Sequence, residues 1–332
     1  MKTHFWSVLI ASLVLPTSLA LAGQPYGTNW GKWGDDDEYG ALNYITPAKI
    51  AAASKLAKRG KVFNLAIDLK PNQPGWTGRT YRHTFDFIIP SVDPSGGTGA
   101  SDDAIAMHQQ YSTQWDGFPH FFFSGKMYNG HDVASNVTVA GAAKHSIHNW
   151  ADRIVSRGVL LDVARYKGVG SLESGYMITR ADLEATARTQ NVTVETGDIV
   201  LIRTGYMPVL RKMAWPMRGT EPYDVGEPGI GLAGAKWIKD ERIAAVAFDT
   251  LAGEVIPFDP EGLEKVNDVG WKAFPVHVEL LVNQGVPLGE IWDFEALAED
   301  CAADGVYEFL LIAPPLRIVG GVGSPLSPLA IK

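Results

Sequence analysis

The 332-residue chain contains one cysteine, so neither an internal disulfide nor a cysteine-rich zinc site is open to it. Charge is sparse at 20% of residues, and the balance is acidic, 37 Asp and Glu against 29 Lys and Arg. That excludes the basic footprint of a nucleic-acid binder. No repeat of roughly 20 to 50 residues is visible, which argues against solenoids and propellers. No G-x-S-x-G elbow, P-loop or dinucleotide fingerprint stands in the context its chemistry requires. Beyond residue 22 no apolar run reaches the ~20 residues of a membrane span. Apolar and aromatic residues are plentiful: 46% of the chain is hydrophobic, with 10 Trp, 11 Tyr and 13 Phe, which excludes a disordered or coiled-coil chain. The 35 Gly have no period, which excludes collagen and marks many turns. Any chemistry falls to oxygen donors and eight His.

Residues 1–22 (MKTHFWSVLIASLVLPTSLALA) join a basic start, an apolar run and a small-x-small site. They read as a secretory signal peptide cleaved after Ala22, predicting a secreted or periplasmic protein with no membrane association once processed. Residues 23–332 show no convincing linker and read as one large domain. Helices are expected at 47–59 (Thr46 as N-cap, Gly60 as stop), 179–189, 233–241 and 276–284. Strands are expected at 62–69, 84–89, 158–164, 198–204, 243–249, 306–312 and 316–319. Helices and buried strands alternate through the second half, which predicts an α/β fold with a covered sheet.

The densest polar segment runs from Met107 to His131 and holds Gln110, Gln114, Asp116 and His120. Were it a strand, their even spacing would turn all four toward one pocket. Asp116 suits a metal ligand or general base, and His120 a proton carrier or ligand. A hydrogen-bonded turn of buried polar residues accounts for the segment equally well. His108, beside it, can stand in for a missing ligand. Asp249 ends an expected strand, where α/β sheets bind ligands, but there it also serves as a turn or cap residue. His277, on a helix leading past Gly285 to Glu290, can complete a metal site or be an ordinary core histidine. The other histidines, His145 among them, are expected on loops or surfaces. Cys301 has acidic neighbours that should raise its pKa and oppose nucleophilic use.

Taken together, these segments resemble the cyclase-like metal-dependent hydrolases, a family that includes bacterial kynurenine formamidase and isatin hydrolase. The family signature H-x-G-T-H-x-D-x-P-x-H meets Gln110-Tyr111-Ser112-Thr113-Gln114-Trp115-Asp116-Gly117-Phe118-Pro119-His120. Thr113, Asp116 and His120 match in place, both earlier His positions are Gln, and the Pro is displaced by one. The T-Q-W-D-G wording and the ending Gly320–Pro325 mark a divergent branch.

The resemblance implies a mixed α/β fold of the swivelling β/β/α type with a mixed sheet, assembled as a dimer or tetramer. It also implies a divalent metal (Mn, Zn or Mg) that activates water against a carbonyl. By position, Asp116, His277 and Glu290 are the ligands, aided by Gln110 and Gln114, and His120 is the acid/base. Trp115, Phe118, Phe121 and Phe122 are candidates for an aromatic substrate pocket, with core packing as the competing role. The expectation is an exported hydrolase of a small cyclic or aryl amide, lactam or ester. The alternatives are an altered relative that binds a small aromatic ligand, and a lyase or cyclase using the same acid/base residues.

Overall fold

A computed structural model describes residues 27–76, 78–88, 101–213, 225–266 and 273–332. The expected signal peptide, residues 1–22, lies outside the described residues, as does the approach to His277 at 267–272.

A nine-stranded sheet organises the chain. Its strands are β1 (Val62–Asn64), β2 (Gln114–Asp116), β3 (Val155–Asp162), β4 (Ile199–Arg203), β5 (Ala245–Phe248), β6 (Leu288–Glu290), β7 (Glu308–Ile312), β8 (Gly323–Pro325) and β9 (Leu329–Ile331). They lie in the order β1-β9-β7-β3-β4-β5-β6-β2-β8. The run β3-β4-β5-β6 is parallel and every other neighbouring pair antiparallel. The parallel centre follows from composition: β4 (IVLIR) and β5 (AVAF) are buried at every position, as strands covered on both faces must be. Each fully buried aliphatic side chain there contributes roughly 1.5–3 kcal/mol.

The helices that matter for the site are α1 (Pro47–Ala53), α2 (Arg180–Thr189), α3 (Leu232–Asp240), α4 (Pro275–His277) and α5 (Glu295–Asp304). Thr46 caps α1 through Lys49 N–H, and a 3-10 turn replaces the rest of the expected helix. A capping box starts α2: Thr179 Oγ1 accepts from Asp182 N–H at 3.1 Å, and Asp182 Oδ2 accepts from Thr179 N–H at 3.0 Å. α4 runs directly into the π-helix Val278–Gln284, which ends at Gly285 with φ of 62°. Such π turns concentrate at functional sites. The chain is thus a single mixed α/β domain, as expected from sequence.

The strand expectations fail at the edges. The run 62–69 is a strand only over Val62–Asn64, with a single further antiparallel bridge from Ala66 to Trp292, and 316–319 is irregular. Two strands follow it instead, β8 at the sheet edge and β9 between β1 and β7; each is three residues long and too short to show a period. A separate ribbon, Tyr81–Ile88 paired with Ser101–Met107, stands apart from the main sheet. Among the described residues no helix is long and apolar enough to cross a membrane.

Candidate metal centre

β2 and β6 pair with Gln114 opposite Glu290, Trp115 opposite Gly289, and Asp116 opposite Leu288. Alternation turns Gln114 and Asp116 to one face, and cross-strand pairing brings Glu290 to the same face. On the other face Trp115 meets Trp292 edge-on, ring centroids 4.9 Å apart. No side chain fits opposite it: a Cβ on Gly289 would lie 2.8 Å from Ala247 Cβ and 2.9 Å from the Trp115 ring. Gly323 of β8 stands opposite Asp116, and a Cβ there would lie 2.3 Å from Gln110 Nε2. A glycine at this point therefore admits the Gln110 amide. Thr113 ties the start of β2 in place, donating to Ile291 O and accepting from Ile67 N–H at 3.0 Å.

α4 supplies His277 from the other side. Its Nε2 is 3.1 Å from Glu290 Oε1 and 3.9 Å from Asp116 Oδ2, and its Nδ1 is 2.5 Å from Glu254 Oε1. One ligand atom from each of Asp116, His277 and Glu290 falls within 4.8 Å of the others, and all three residues are buried. His120, on the 3-10 turn Phe118–His120 just after β2, places Nε2 3.6 Å from Asp116 Oδ1. Its Nδ1 is 3.3 Å from Gln110 Nε2. Gln114 Nε2 donates to Glu290 Oε2 at 2.6 Å and reaches Asp116 Oδ1 at 3.4 Å.

Burial and charge shape the proton affinities. Burial, together with the Glu290 carboxylate, pushes Asp116 up to about 6 against the opposing pull of His120 and His277. His120 is lowered by burial, with Asp116 opposing. Burial alone would lower His277 too, but the carboxylates of Glu254 and Glu290 carry it up to about 10. The donor set fits a divalent cation. Two buried carboxylates and an imidazole converge, and Asp116 Oδ2 and Gln114 Oε1 are buried without a hydrogen-bond partner. His277 carries the carboxylate on its far nitrogen that ligating histidines commonly have.

The sequence left Gln110, Gln114, Asp116 and His120 open between one strand and a hydrogen-bonded turn of buried polar residues, and the structure uses both. Only Gln114 and Asp116 lie on β2; Gln110 comes from the preceding turn and His120 from the following one. Trp115 and Phe118 are not pocket residues: both are 0% exposed, Trp115 donating to Ala313 O and Phe118 packed on Tyr128 and Trp150. Phe121 is half-buried with its ring 5.0 Å from that of His277, while Phe122 is exposed. His108 is not positioned as a substitute ligand; it is exposed at the ribbon's base, and its Nδ1 accepts from Thr80 N–H at 2.9 Å. His145, expected on the surface, is fully buried between Phe118 and Tyr128. The Cys301 thiol is indeed pushed up, to about 12, but mainly by burial; the acidic neighbours add less.

Glu254 and Phe274 were missed. Glu254 follows β5 in an irregular stretch that has no period to read. Its carboxylate also accepts from the N–H groups of Val276 and His277 at 3.3 Å. Phe274 precedes Pro275 with φ of 39° and ψ of 59°, a left-handed geometry costly for a bulky residue and concentrated at functional sites. Its ring lies 5.0 Å from that of His277.

Residues 63–255 match the family described as Putative cyclase. A crystal structure described as a novel cyclase is 42% identical to the chain, covering 92% of it and 98% of its own length, with a TM-score of 0.81. The chain belongs to the cyclase family. Isatin hydrolase A from Labrenzia aggregata, bound to benzyl benzoate, shares this cyclase fold at 20% identity, with 84% of this chain and 97% of that one covered and a TM-score of 0.57. Isatin hydrolase A from Ralstonia solanacearum does so at 17% identity, with 86% and 98% covered and a TM-score of 0.58. No curated protein matches the chain.

Proposed function

We propose that this cyclase-family chain is a metal-dependent hydrolase of a small cyclic or aryl amide, lactam or ester. The observation that carries the reading is the buried convergence of Asp116, His277 and Glu290, with Asp116 Oδ2 left without a partner beside His120. Asp116, His277 and Glu290 would hold the ion, with the Gln114 amide against both carboxylates. A donor set of two carboxylates, one imidazole and amides suits Mn or Mg at least as well as Zn. When bound, such an ion would polarise a carbonyl and lower the pKa of its water, to ~7 in the case of zinc.

The chain's own residues do the rest. Glu254 holds the Nδ1 side of His277 and so presents Nε2 to the centre. The Gln110 amide on Nδ1 of His120 leaves Nε2 as the proton-bearing nitrogen, facing Asp116. From there His120 donates a proton to the leaving nitrogen or oxygen, a step typically worth 10²–10⁴-fold. Phe121 and Phe274 flank His277 and form the apolar wall for an aromatic substrate. Isatin hydrolase activity in proteins of the same fold supports this substrate class. The reading includes export through residues 1–22 and a dimeric or tetrameric assembly, which light scattering of the secreted protein would check.

One observation favours a second reading. The Gln114 amide group already donates to Glu290, and it approaches Asp116, so the carboxylates are partly satisfied without a cation. A chain that kept this state would bind a small aromatic ligand without hydrolysing it. Metal analysis of the purified protein separates the two, paired with turnover of N-acyl anilines, lactams and aryl esters before and after chelation. About one ion per chain, chelation-sensitive turnover, a product heavier by one water and silence of His120→Ala support the hydrolase. A metal-free protein that stays inert when Mn, Mg or Zn is added refutes it. A product of unchanged mass would mark a cyclase.

A further inference from the structure

A cleft of about 190 Å³ opens beside the metal centre, lined by Gln73, Trp76, Arg79, Tyr81 and Tyr111 among others. Whole-ligand pockets run to roughly 300–1,000 Å³, so this one takes one end of a molecule. Among the described residues no carboxylate lines it. Arg79 is half-buried there and has no acidic partner among the described residues; the one hydrogen bond of its guanidinium there is from Nη1 to Gln110 O at 2.9 Å. A guanidinium has five N–H donors, so four remain unused. Gln73 is buried at 8% exposure, and its Nε2 has no hydrogen-bond partner. Tyr81 and Tyr111 stack at 5.4 Å with 17° between their planes. The cleft thus offers unsatisfied donors, a positive charge and aromatic faces, and it lacks a compensating anion.

Two connections tie it to the centre. Gln110 joins Arg79 through its carbonyl and His120 through its side chain, so guanidinium and imidazole stand one glutamine apart. Along the wall, the Trp76 ring meets Phe274 at 5.7 Å, and Phe274 meets His277 at 5.0 Å. Trp76 is itself anchored by Nε1 donating to Leu251 O at 3.1 Å. An aromatic path therefore runs from the cleft to the ligating histidine.

We propose that this cleft binds a carboxylate, with Arg79 as its anchor, and that the substrate is an aromatic amide or ester carrying a carboxylate at the end remote from the scissile bond. The substrate assignment rests on the hydrolase reading; the carboxylate subsite does not. A planar guanidinium pairs with a carboxylate through two parallel N–H donors, and Lys cannot reproduce that geometry.

Benzoate and its neutral isostere benzamide are titrated into the full-length protein by calorimetry at constant ionic strength, without turnover. Wild type should bind benzoate at least tenfold more tightly than benzamide. Arg79→Met should bring the two affinities together, Arg79→Lys should keep a smaller preference, and His120→Ala should keep all of it. Thermal melts of each variant establish that it is folded. Equal binding of the two probes to wild type, no saturable benzoate binding, or an undiminished preference in folded Arg79→Met would overturn the subsite. If the preference depends on Arg79 while the protein neither binds metal nor hydrolyses amides, the subsite stands and the hydrolase reading fails.

Discussion

Asp249 and Asp116 each end a buried strand region, each is at most 1% exposed, and burial pushes each up to about 6. Their hydrogen bonds separate them. Asp249 Oδ1 accepts from Thr204 N–H at 2.8 Å and from its hydroxyl at 2.7 Å, and Oδ2 accepts from Gly205 N–H at 2.8 Å. That carboxylate fastens the end of β5 to the chain leaving β4. Asp116 has only a long amide hydrogen bond on Oδ1 and none on Oδ2, with His120 Nε2 at 3.6 Å and His277 Nε2 at 3.9 Å beyond hydrogen-bond reach. Burial and a raised pKa therefore do not distinguish the two; a buried carboxylate oxygen without a hydrogen-bond partner does.

The sharpest way to break this contrast is to neutralise each carboxylate in turn. Asp116→Asn should lower kcat/KM by on the order of 10³-fold and abolish stoichiometric metal binding. Its melting temperature without metal should be unchanged or higher, because a buried charge with poor partners is removed. Asp249→Ala should reverse the pattern. Three donors lose their acceptor at about 1–3 kcal/mol each, so urea titration should show a loss of several kcal/mol while the metal content of the folded fraction stays near wild type. If Asp116→Asn unfolds the protein and Asp249→Ala spares it, the contrast is wrong.

Glu254→Gln should weaken metal binding about 10–100-fold, because it removes the carboxylate that orients His277 while keeping the shape. Competition with a chelator measures this. A pH series gives a smaller effect. Asp249 titrates near 6 when folded, against an ordinary value of 3.8, so between these pH values the native state holds a proton that the unfolded chain has lost. Its contribution to stability is therefore present at low pH and falls as pH rises through 6. Asp249→Asn should flatten that part of the metal-free stability curve. The smallest effect belongs to the aromatic pair: Phe122→Ala should change stability by no more than about 0.5 kcal/mol and leave KM alone. Phe121→Ala should raise KM for aromatic substrates.

How much was legible depended on whether a signal was local. The central strands and the capped helix α2 were readable because apolar runs and a Thr-x-x-Asp box act within a few residues. Asp116, His120, His277 and Glu290 were named from a spaced signature. The backbone that joins Asp116 to His120 stayed open between a strand and a turn, and the turn at Phe118–His120 brings His120 round to the site. Trp115 and Phe118 were misassigned because an aromatic beside catalytic residues looks the same in sequence whether it faces a pocket or the core. Gly289 and Gly323 carry the information, since one makes room for Trp115 and the other for Gln110, but only through neighbours more than 170 residues away in the chain. Glu254, Trp76, Phe274 and Arg79 lay in irregular stretches with no periodicity to expose them.

By itself the sequence determined the α/β class, the apolar parallel centre of the sheet, and a supply of chemistry limited to oxygen and imidazole. Each follows from composition or from periods of two and 3.6, which the backbone enforces locally. Only the tertiary structure decided which polar groups are left without partners. It closed Asp249 with donors from the chain leaving β4, left Asp116 open between β2 and α4, turned Glu254 onto His277, and kept Arg79 clear of any acid among the described residues. Whether a buried group is satisfied depends on what long-range packing places within about 3 Å of it, and strand pairing and helix docking determine that distance.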